Sequence, residues 1–178
     1  MKNIIQNMIL IVIIIISIIS IAIYFIALNS PLIEPLDQLA NKTYEKYENS
    51  IFTYEVIRFP TFVDIIDFTD DDLTIGISND PYNLGFGIIP VGSMGKRVIR
   101  VDNNETIPSK VKIMKNGNIS SFLEIGEDVF VLGMNETKSV DVQLKTGEDT
   151  EIGTYTGVID LIIVKPKYKG FEFLLGVV

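Results

Sequence analysis

The hydrophobic pattern of the chain begins with an apolar run from Met8 to Leu28 that contains no charged residue. Eleven of its 21 residues are Ile, and as a helix the run would be about 32 Å long, close to the roughly 30 Å hydrocarbon core of a bilayer. A cleaved secretory signal is the alternative, but its apolar region is shorter and ends in a small-x-small site, which the residues before Asn29 lack. Residues 1–28 are therefore predicted to form a retained transmembrane signal anchor that contacts the lipid bilayer through residues 8–28.

The orientation of this segment follows from the charges beside it. Lys2 and the α-amino group lie on the short side, and cytoplasmic flanks carry an excess of basic residues. The N-terminus is therefore predicted to be cytoplasmic, in a single-pass protein of the cell membrane whose C-terminal domain is extracytoplasmic. Four Asn-x-Ser/Thr sequons agree with an extracytoplasmic C-terminal domain, although their chance occurrence in an Asn-rich chain is the alternative. The candidate glycosylation sites are Asn41, Asn104, Asn118 and Asn135.

Residues 29–50 combine two prolines with a helical spacing of apolar and aromatic residues. Positions 36, 39, 40, 43, 44 and 47 recur at intervals of three and four, and Pro35 suits the first turn of a helix. This segment is predicted to be a stalk with a short amphipathic helix that includes Tyr44 and Tyr47.

From residue 51 onward, apolar and polar positions alternate with period two. The clearest example sets Val140, Val142 and Leu144 against the polar residues between them, which predicts a strand with one buried face. Turn signals separate such runs, and we expect strands near 52–58, 62–67, 73–78, 84–89, 96–102, 109–115, 128–132, 138–145, 154–164 and 171–177. Residues 51–178 are therefore predicted to form an all-β domain, an antiparallel β-sandwich.

Three segments between Leu73 and Val164 resemble a known class of domain. LGFGIIPVGSMGKRVIRVDNNETIPSKVKI, FVLGMNETKSVDVQL and GTYTGVIDLII are similar to the immunoglobulin-like sandwich domains of the major sperm protein and abnormal-spindle type and their prokaryotic surface relatives. The resemblance implies an immunoglobulin-like sandwich in a prokaryotic surface protein, with an archaeal source favoured. Tyr155, between Gly153 and Gly157, is placed like a tyrosine that ties a sandwich corner. Because this fold carries unrelated functions, the resemblance transfers no activity.

Composition removes several kinds of chemistry. The chain of 178 residues has no Cys and no His, so it lacks the side chains of a Ser-His-Asp triad, a Cys nucleophile or a His/Cys zinc site. Its net charge is −8, and residues 31–80 hold eleven acidic against three basic residues. Such a surface repels nucleic acid, so we expect no nucleic-acid partner. We also expect no cofactor.

Three short motifs remain as candidate chemistry. Asp70, Asp71 and Asp72 offer the hard oxygen ligands that Ca²⁺ prefers, although their spacing is not that of an EF-hand and an exposed turn is the favoured alternative. Ser93 beside Lys96 could suggest a Ser-Lys dyad, but a lysine in a tight hairpin is expected to be hydrated rather than basic. The basic turn at residues 165–169 could contact an acidic partner or keep an edge hairpin soluble.

Together these patterns predict a non-enzymatic, membrane-anchored extracytoplasmic module that binds or scaffolds through protein–protein contacts at the cell surface. One alternative is an accessory or stator-like subunit of a surface filament, such as an archaeal flagellum or pilus. The other, with less support, is a membrane-bound Ser-Lys peptidase.

Overall fold

The computed structural model describes residues 2–28, 44–67 and 84–176. Its elements in chain order are α1 (Lys2–Leu28), β1 (Tyr44–Glu48), β2 (Phe52–Ile66), β3 (Gly87–Pro90), β4 (Met94–Asp102), β5 (Ser109–Gly117), a 3-10 helix (Asn118–Phe122), β6 (Leu123–Ile125), β7 (Val129–Leu132), β8 (Thr137–Lys145), β9 (Gly153–Pro166) and a second 3-10 helix (Glu172–Gly176).

The strands form two sheets. The six-stranded sheet has the order β1-β2-β9-β5-β7, with β3 also paired to β2, and the three-stranded sheet has the order β4-β8-β6. All pairs are antiparallel except β2 with β3. From β3 to β9, every connection passes from one sheet to the other. The predicted all-β class and its two-sheet, sandwich-like architecture are confirmed.

The main core lies between the two sheets, and β8 shows how the sequence builds it. Val140, Val142 and Leu144 are buried, whereas Asp141 and Gln143 are only partly covered. The predicted alternation on this strand is confirmed. The same cluster takes side chains from the facing strands, including Val63, Ile65, Val111, Ile113, Ile159 and Leu161.

β2 runs without interruption through Pro60, where the sequence predicts two separate strands. The carbonyl of Pro60 accepts a hydrogen bond from Leu84 N at 2.9 Å, on the edge away from β9. Since both backbone groups of a strand residue point to the same side, the missing N–H of Pro60 also lies on that edge. The ladder with β9 therefore continues from Phe52 to Ile65.

A second apolar cluster lies on the outer face of the six-stranded sheet. Leu174 and Leu175 of the C-terminal 3-10 helix pack there against the buried residues Phe52, Tyr54, Val56, Ile162 and Val164. The strand predicted over 171–177 is therefore wrong. Adjacent leucines face the sheet together, whereas Phe173, which alternation would bury with Phe171 and Leu175, is 73% exposed.

β1 replaces the last part of the predicted stalk helix. Residues 44–48 pair with residues 53–57 of β2 as a strand at the edge of the six-stranded sheet. Tyr44 and Tyr47, expected at helical spacing, lie on opposite faces of this strand. The helical period was misleading because a partner edge on β2 satisfies the backbone of this segment. The rest of the predicted helix lies outside the described residues.

The structure also corrects the prediction of a transmembrane anchor at the N-terminus. Within α1, side chains are described without interruption only over residues 10–22, which span about 20 Å of helix. In the described part of the chain, no helix combines the length and apolarity that crossing a bilayer requires. This finding contradicts the transmembrane anchor, its bilayer contact through residues 8–28 and the single-pass location, which were inferred from hydropathy alone.

Tyr155 ties one corner of the sandwich, as predicted. Its hydroxyl donates a hydrogen bond to the carbonyl of Glu151 at 2.9 Å, and its ring meets Phe122 edge to face. Nearby, a Cβ on Gly157 would stand 2.1 Å from the carbonyl oxygen of Asn116. Only glycine permits this close approach of β9 to β5.

Candidate functional site: an open strand edge

The first feature of the candidate site is the free edge of β4. β4 is the terminal strand of the three-stranded sheet, and β8 is its one strand partner in the described part of the chain. Asn103 N donates to Glu136 O at 2.9 Å, and Thr146 N donates to Ser93 O at 3.0 Å. In an antiparallel ladder these contacts alternate, so odd-numbered residues of β4 bond to β8. The backbone groups of the even-numbered residues, 94 to 102, therefore point away from the sheet.

The same even-numbered residues carry the solvent-facing side chains. Val98 is 52% exposed and lies between Lys96 and Arg100, whose side chains are 53% and 68% exposed. Met94 precedes them and is also exposed. The edge therefore presents outward backbone groups and accessible side chains along one row.

Ion pairs on this row are exposed. Lys96 Nζ lies 2.7 Å from Asp141, and Arg100 Nε lies 3.1 Å from Asp102. Two hydrogen bonds lower the pKa of Asp102, and the one from Thr137 has a larger effect than the one from Arg100. Solvent-exposed pairs of this kind contribute about 0–1 kcal/mol, so they do not hold the strand in place.

β4 is held instead from its buried side. Arg97 points inward and donates from Nε to the carbonyl of Gly85 at 2.8 Å. At the start of the strand, Thr146 Oγ1 donates to Pro90 O at 2.9 Å and accepts from Ser93 N at 3.0 Å. These contacts fix the β3–β4 turn, so the edge is ordered before any partner arrives.

The six-stranded sheet has a shorter open edge at β7. This strand pairs with β5 over four residues and has no second strand partner among those described. Its exposed side chains are Val129 and Val131. Strand β4 offers more than twice as many residues and is therefore the stronger candidate.

A buried charge cluster, which the sequence did not indicate, lies on the outer face of the six-stranded sheet. Arg58 donates from Nε to Asp160 at 3.1 Å and from Nη1 to Glu45 at 3.0 Å. Arg58 and Asp160 are 6% and 1% exposed. Burial raises the pKa of Asp160, although Arg58 opposes that shift. The Tyr47 hydroxyl donates to Glu45, and this bond raises the pKa of Tyr47.

A small open cleft lies at one end of the six-stranded sheet. It has a volume of about 210 Å³ and is lined by Lys46, Thr53, Glu55, Glu105, Ile107, Lys165 and Pro166. Lys165 lies 3.0 Å from Glu55 and 3.5 Å from Glu105. Lys46, the other cation of the lining, lies 3.0 Å from Glu48, which is outside the cleft. Both lysines of the cleft are therefore already paired with carboxylates of the chain.

The basic turn is tied to the sheet by acidic residues. Besides the pairs of Lys165, Lys167 lies 2.9 Å from Glu48 of β1. Lys167 and Lys46 lower the pKa of Glu48. Two of the three lysines that could contact an acidic partner are therefore engaged within the chain.

Three of the four sequons fall on described, exposed positions. Asn104 lies in the β4–β5 loop, and Asn135, with a φ of 53°, lies in the β7–β8 turn. Asn118 is also exposed, but its Oδ1 accepts a hydrogen bond from Thr156 N at 2.7 Å. Asn41 lies outside the described residues. Glycosylation of the four sites stays a prediction.

The structure does not bring the other candidate residues together. Asp70, Asp71 and Asp72 lie outside the described residues, and no group of three or more metal-ligand side chains occurs among those described. Lys96 is exposed and paired with Asp141. It therefore lacks the desolvated environment that a Ser-Lys dyad with Ser93 requires.

Asn103 is a structural residue that the sequence pattern did not single out. It is buried, and its Nδ2 donates to Gly133 O at 2.8 Å and Ile107 O at 3.0 Å. Its Oδ1 accepts from Glu105 N at 3.2 Å. The Asp-Asn-Asn run that begins with the last residue of β4 was the available signal, but it did not distinguish Asn103 from its exposed neighbour.

Comparisons of the chain with protein-family models, with curated proteins and with solved structures found no match. The resemblance to major sperm protein domains therefore stays a prediction.

Proposed function

We propose that this chain is a non-enzymatic β-sandwich module that binds another protein by adding an extended segment of that protein to β4. The observation that carries the proposal is the edge of this nine-residue strand, which pairs with no second strand among the described residues. Strand addition uses main-chain hydrogen bonds for affinity and alternate side chains for selectivity. The even-numbered residues of β4 offer both on one row.

The length and order of the edge support this function. Proteins usually shorten, cover or kink their edge strands, because an open edge is a template for pairing with another chain. β4 contains no proline, and it is anchored through Arg97 and the β3–β4 turn. A partner segment would therefore meet a preformed template.

The charges on the row favour a different protein over a second copy of this chain. Antiparallel pairing of two β4 strands about Val98 would set Lys96 of one copy opposite Arg100 of the other. Like charges directly opposite one another destabilise a strand pair. The resemblance to immunoglobulin-like domains of the major sperm protein type forms part of the same proposal, and the two-sheet architecture and the Tyr155 corner support it.

Val98→Pro tests the proposal. The N–H of Val98 points away from β8, so its removal should leave the β4–β8 ladder intact, as prolines on edge strands do. Full-length wild-type protein, Val98→Pro and the control Val98→Ala are used for affinity capture from the source cells, with circular dichroism to compare their folds. We expect a partner that is retained by wild type and Val98→Ala and lost by folded Val98→Pro. Equal capture by all three, or no partner for the wild type, would overturn the proposal.

A further inference from the structure

The cluster of Glu45, Arg58 and Asp160 joins three neighbouring strands. Glu45 lies on β1, Arg58 on β2 and Asp160 on β9, and the single guanidinium bridges both carboxylates. The guanidinium of Arg58 is therefore shared between two carboxylates. The side chain of Glu45 is only 17% exposed, and the other two are more deeply buried.

We infer that this cluster is a proton-binding clasp that fastens β1 to the sheet more tightly when it takes up one proton. Two carboxylates that share one guanidinium in a buried site repel each other, and the uptake of one proton relieves that repulsion. Protonation at Asp160 leaves one carboxylate, Glu45, facing one guanidinium. The carbonyl oxygen of a protonated Asp160 still accepts the hydrogen bond from Arg58.

The direction of the effect follows from what release of β1 would do. Release takes Glu45 away from Asp160 and opens the cluster to water, and both changes lower the affinity of Asp160 for a proton, because Glu45 and burial raise its pKa. Since the closed clasp binds the proton more tightly than the released one, acidification favours closure. Closure is favoured in this way only while Glu45 stays ionised and paired with Arg58.

The groups that face Asp160 from neighbouring strands agree with this assignment. β1 supplies Glu45 and Tyr47, and β2 supplies Arg58. On β5, Met114 is directly opposite Asp160, and Lys112, two residues away and opposite Ile162, is on the same face. The C-terminal 3-10 helix adds Leu174 and Leu175 to the apolar cluster beside it. Arg58 is the cation that contacts both carboxylates.

Hydrogen exchange of the β1 amides in the full-length protein tests the clasp. Asn49 N donates to Phe52 O at 2.9 Å, so by alternation the amides of Tyr47 and Glu45 also bond to β2. After correction for intrinsic exchange rates, we expect the opening constant of the Tyr47 amide to fall as the pH is lowered from neutral through the titration of Asp160, by towards about tenfold for each unit of pKa difference between the closed and released states. The carboxyl carbon resonance of Asp160 should titrate with a pKa above the ordinary aspartate value of about 3.9.

Two variants make the test specific. Asp160→Asn, which keeps the shape and removes the titration, should abolish the pH dependence of β1 opening. Glu48→Gln removes an exposed carboxylate of β1 that lies outside the cluster. It should leave the pH dependence of β1 opening unchanged. If Asp160→Asn retains the wild-type pH dependence, or if wild-type β1 opens more readily as the pH is lowered from neutral through the titration of Asp160, the clasp is overturned.

Discussion

At the scale of single residues, β8 shows how strictly the sandwich separates its two faces. Val142 is fully buried, and Gln143, one residue later, is partly exposed on the opposite face. A shift of one residue in register would exchange these environments. The side chains between the sheets therefore determine the register of β8 against β4.

Val142→Asp should abolish folding or cost more than about 3 kcal/mol, because it removes apolar contacts and buries an unpaired carboxylate. Gln143→Asp introduces the same side chain on the outer face and should change the unfolding free energy by less than about 0.5 kcal/mol. Thermal and denaturant melts of the two variants give the comparison. Equal damage from both would mean that β8 is buried on both faces.

At the scale of elements, the C-terminal 3-10 helix acts as a cover for the outer face of the six-stranded sheet. Its two leucines are buried on the second apolar cluster, while Phe173 projects into solvent. The period-two spacing of Phe171, Phe173 and Leu175 predicted a strand. A 3-10 turn prevails because Leu174 and Leu175 together fill the apolar surface that β2 and β9 expose.

Leu175→Ala should therefore destabilise the protein by about 2–5 kcal/mol, the usual cost of truncating a buried leucine. Phe173→Ala removes a larger side chain from an exposed position and should cost less than about 0.5 kcal/mol. Chemical denaturation measures both values. The reverse order, with Phe173→Ala more harmful, would restore the strand predicted over 171–177.

At the scale of the whole molecule, the sheets are joined by crossover loops that hydrogen bonds connect to one another. Asn103 links the β4–β5 loop to the β7–β8 turn through its contacts with Ile107 and Gly133. Both of these connections pass between the two sheets. A single buried amide therefore fixes two crossovers at the same end of the sandwich.

Asn103→Ala should cost about 1–3 kcal/mol because it removes the hydrogen bonds of a buried amide to the carbonyls of Ile107 and Gly133. Asn104→Ala, the adjacent exposed position, is the matched control and should be nearly silent. Equilibrium unfolding should show the difference, and hydrogen exchange should show faster opening at both loops in Asn103→Ala. If the two variants unfold alike, Asn103 does not join the loops energetically.

The sequence by itself determined the all-β class, most strand positions after residue 84, the inward face of β8 and the corner role of Tyr155. Each of these depends on local alternation or on glycines adjacent to a turn, and both are visible in a short stretch of chain. For the candidate site, the alternation in β4 was also readable, because Lys96 and Arg100 flank Val98 at period two.

Only the tertiary structure decided whether an edge is open, which segments become strands and which charges meet. β1 is a strand because β2 offers it a free edge, and β2 passes through Pro60 because the missing N–H lies away from β9. Arg58 and Asp160 are 102 residues apart in sequence, yet they are paired across neighbouring strands. Such contacts depend on the order of strands in a sheet, which the local pattern of side chains does not encode.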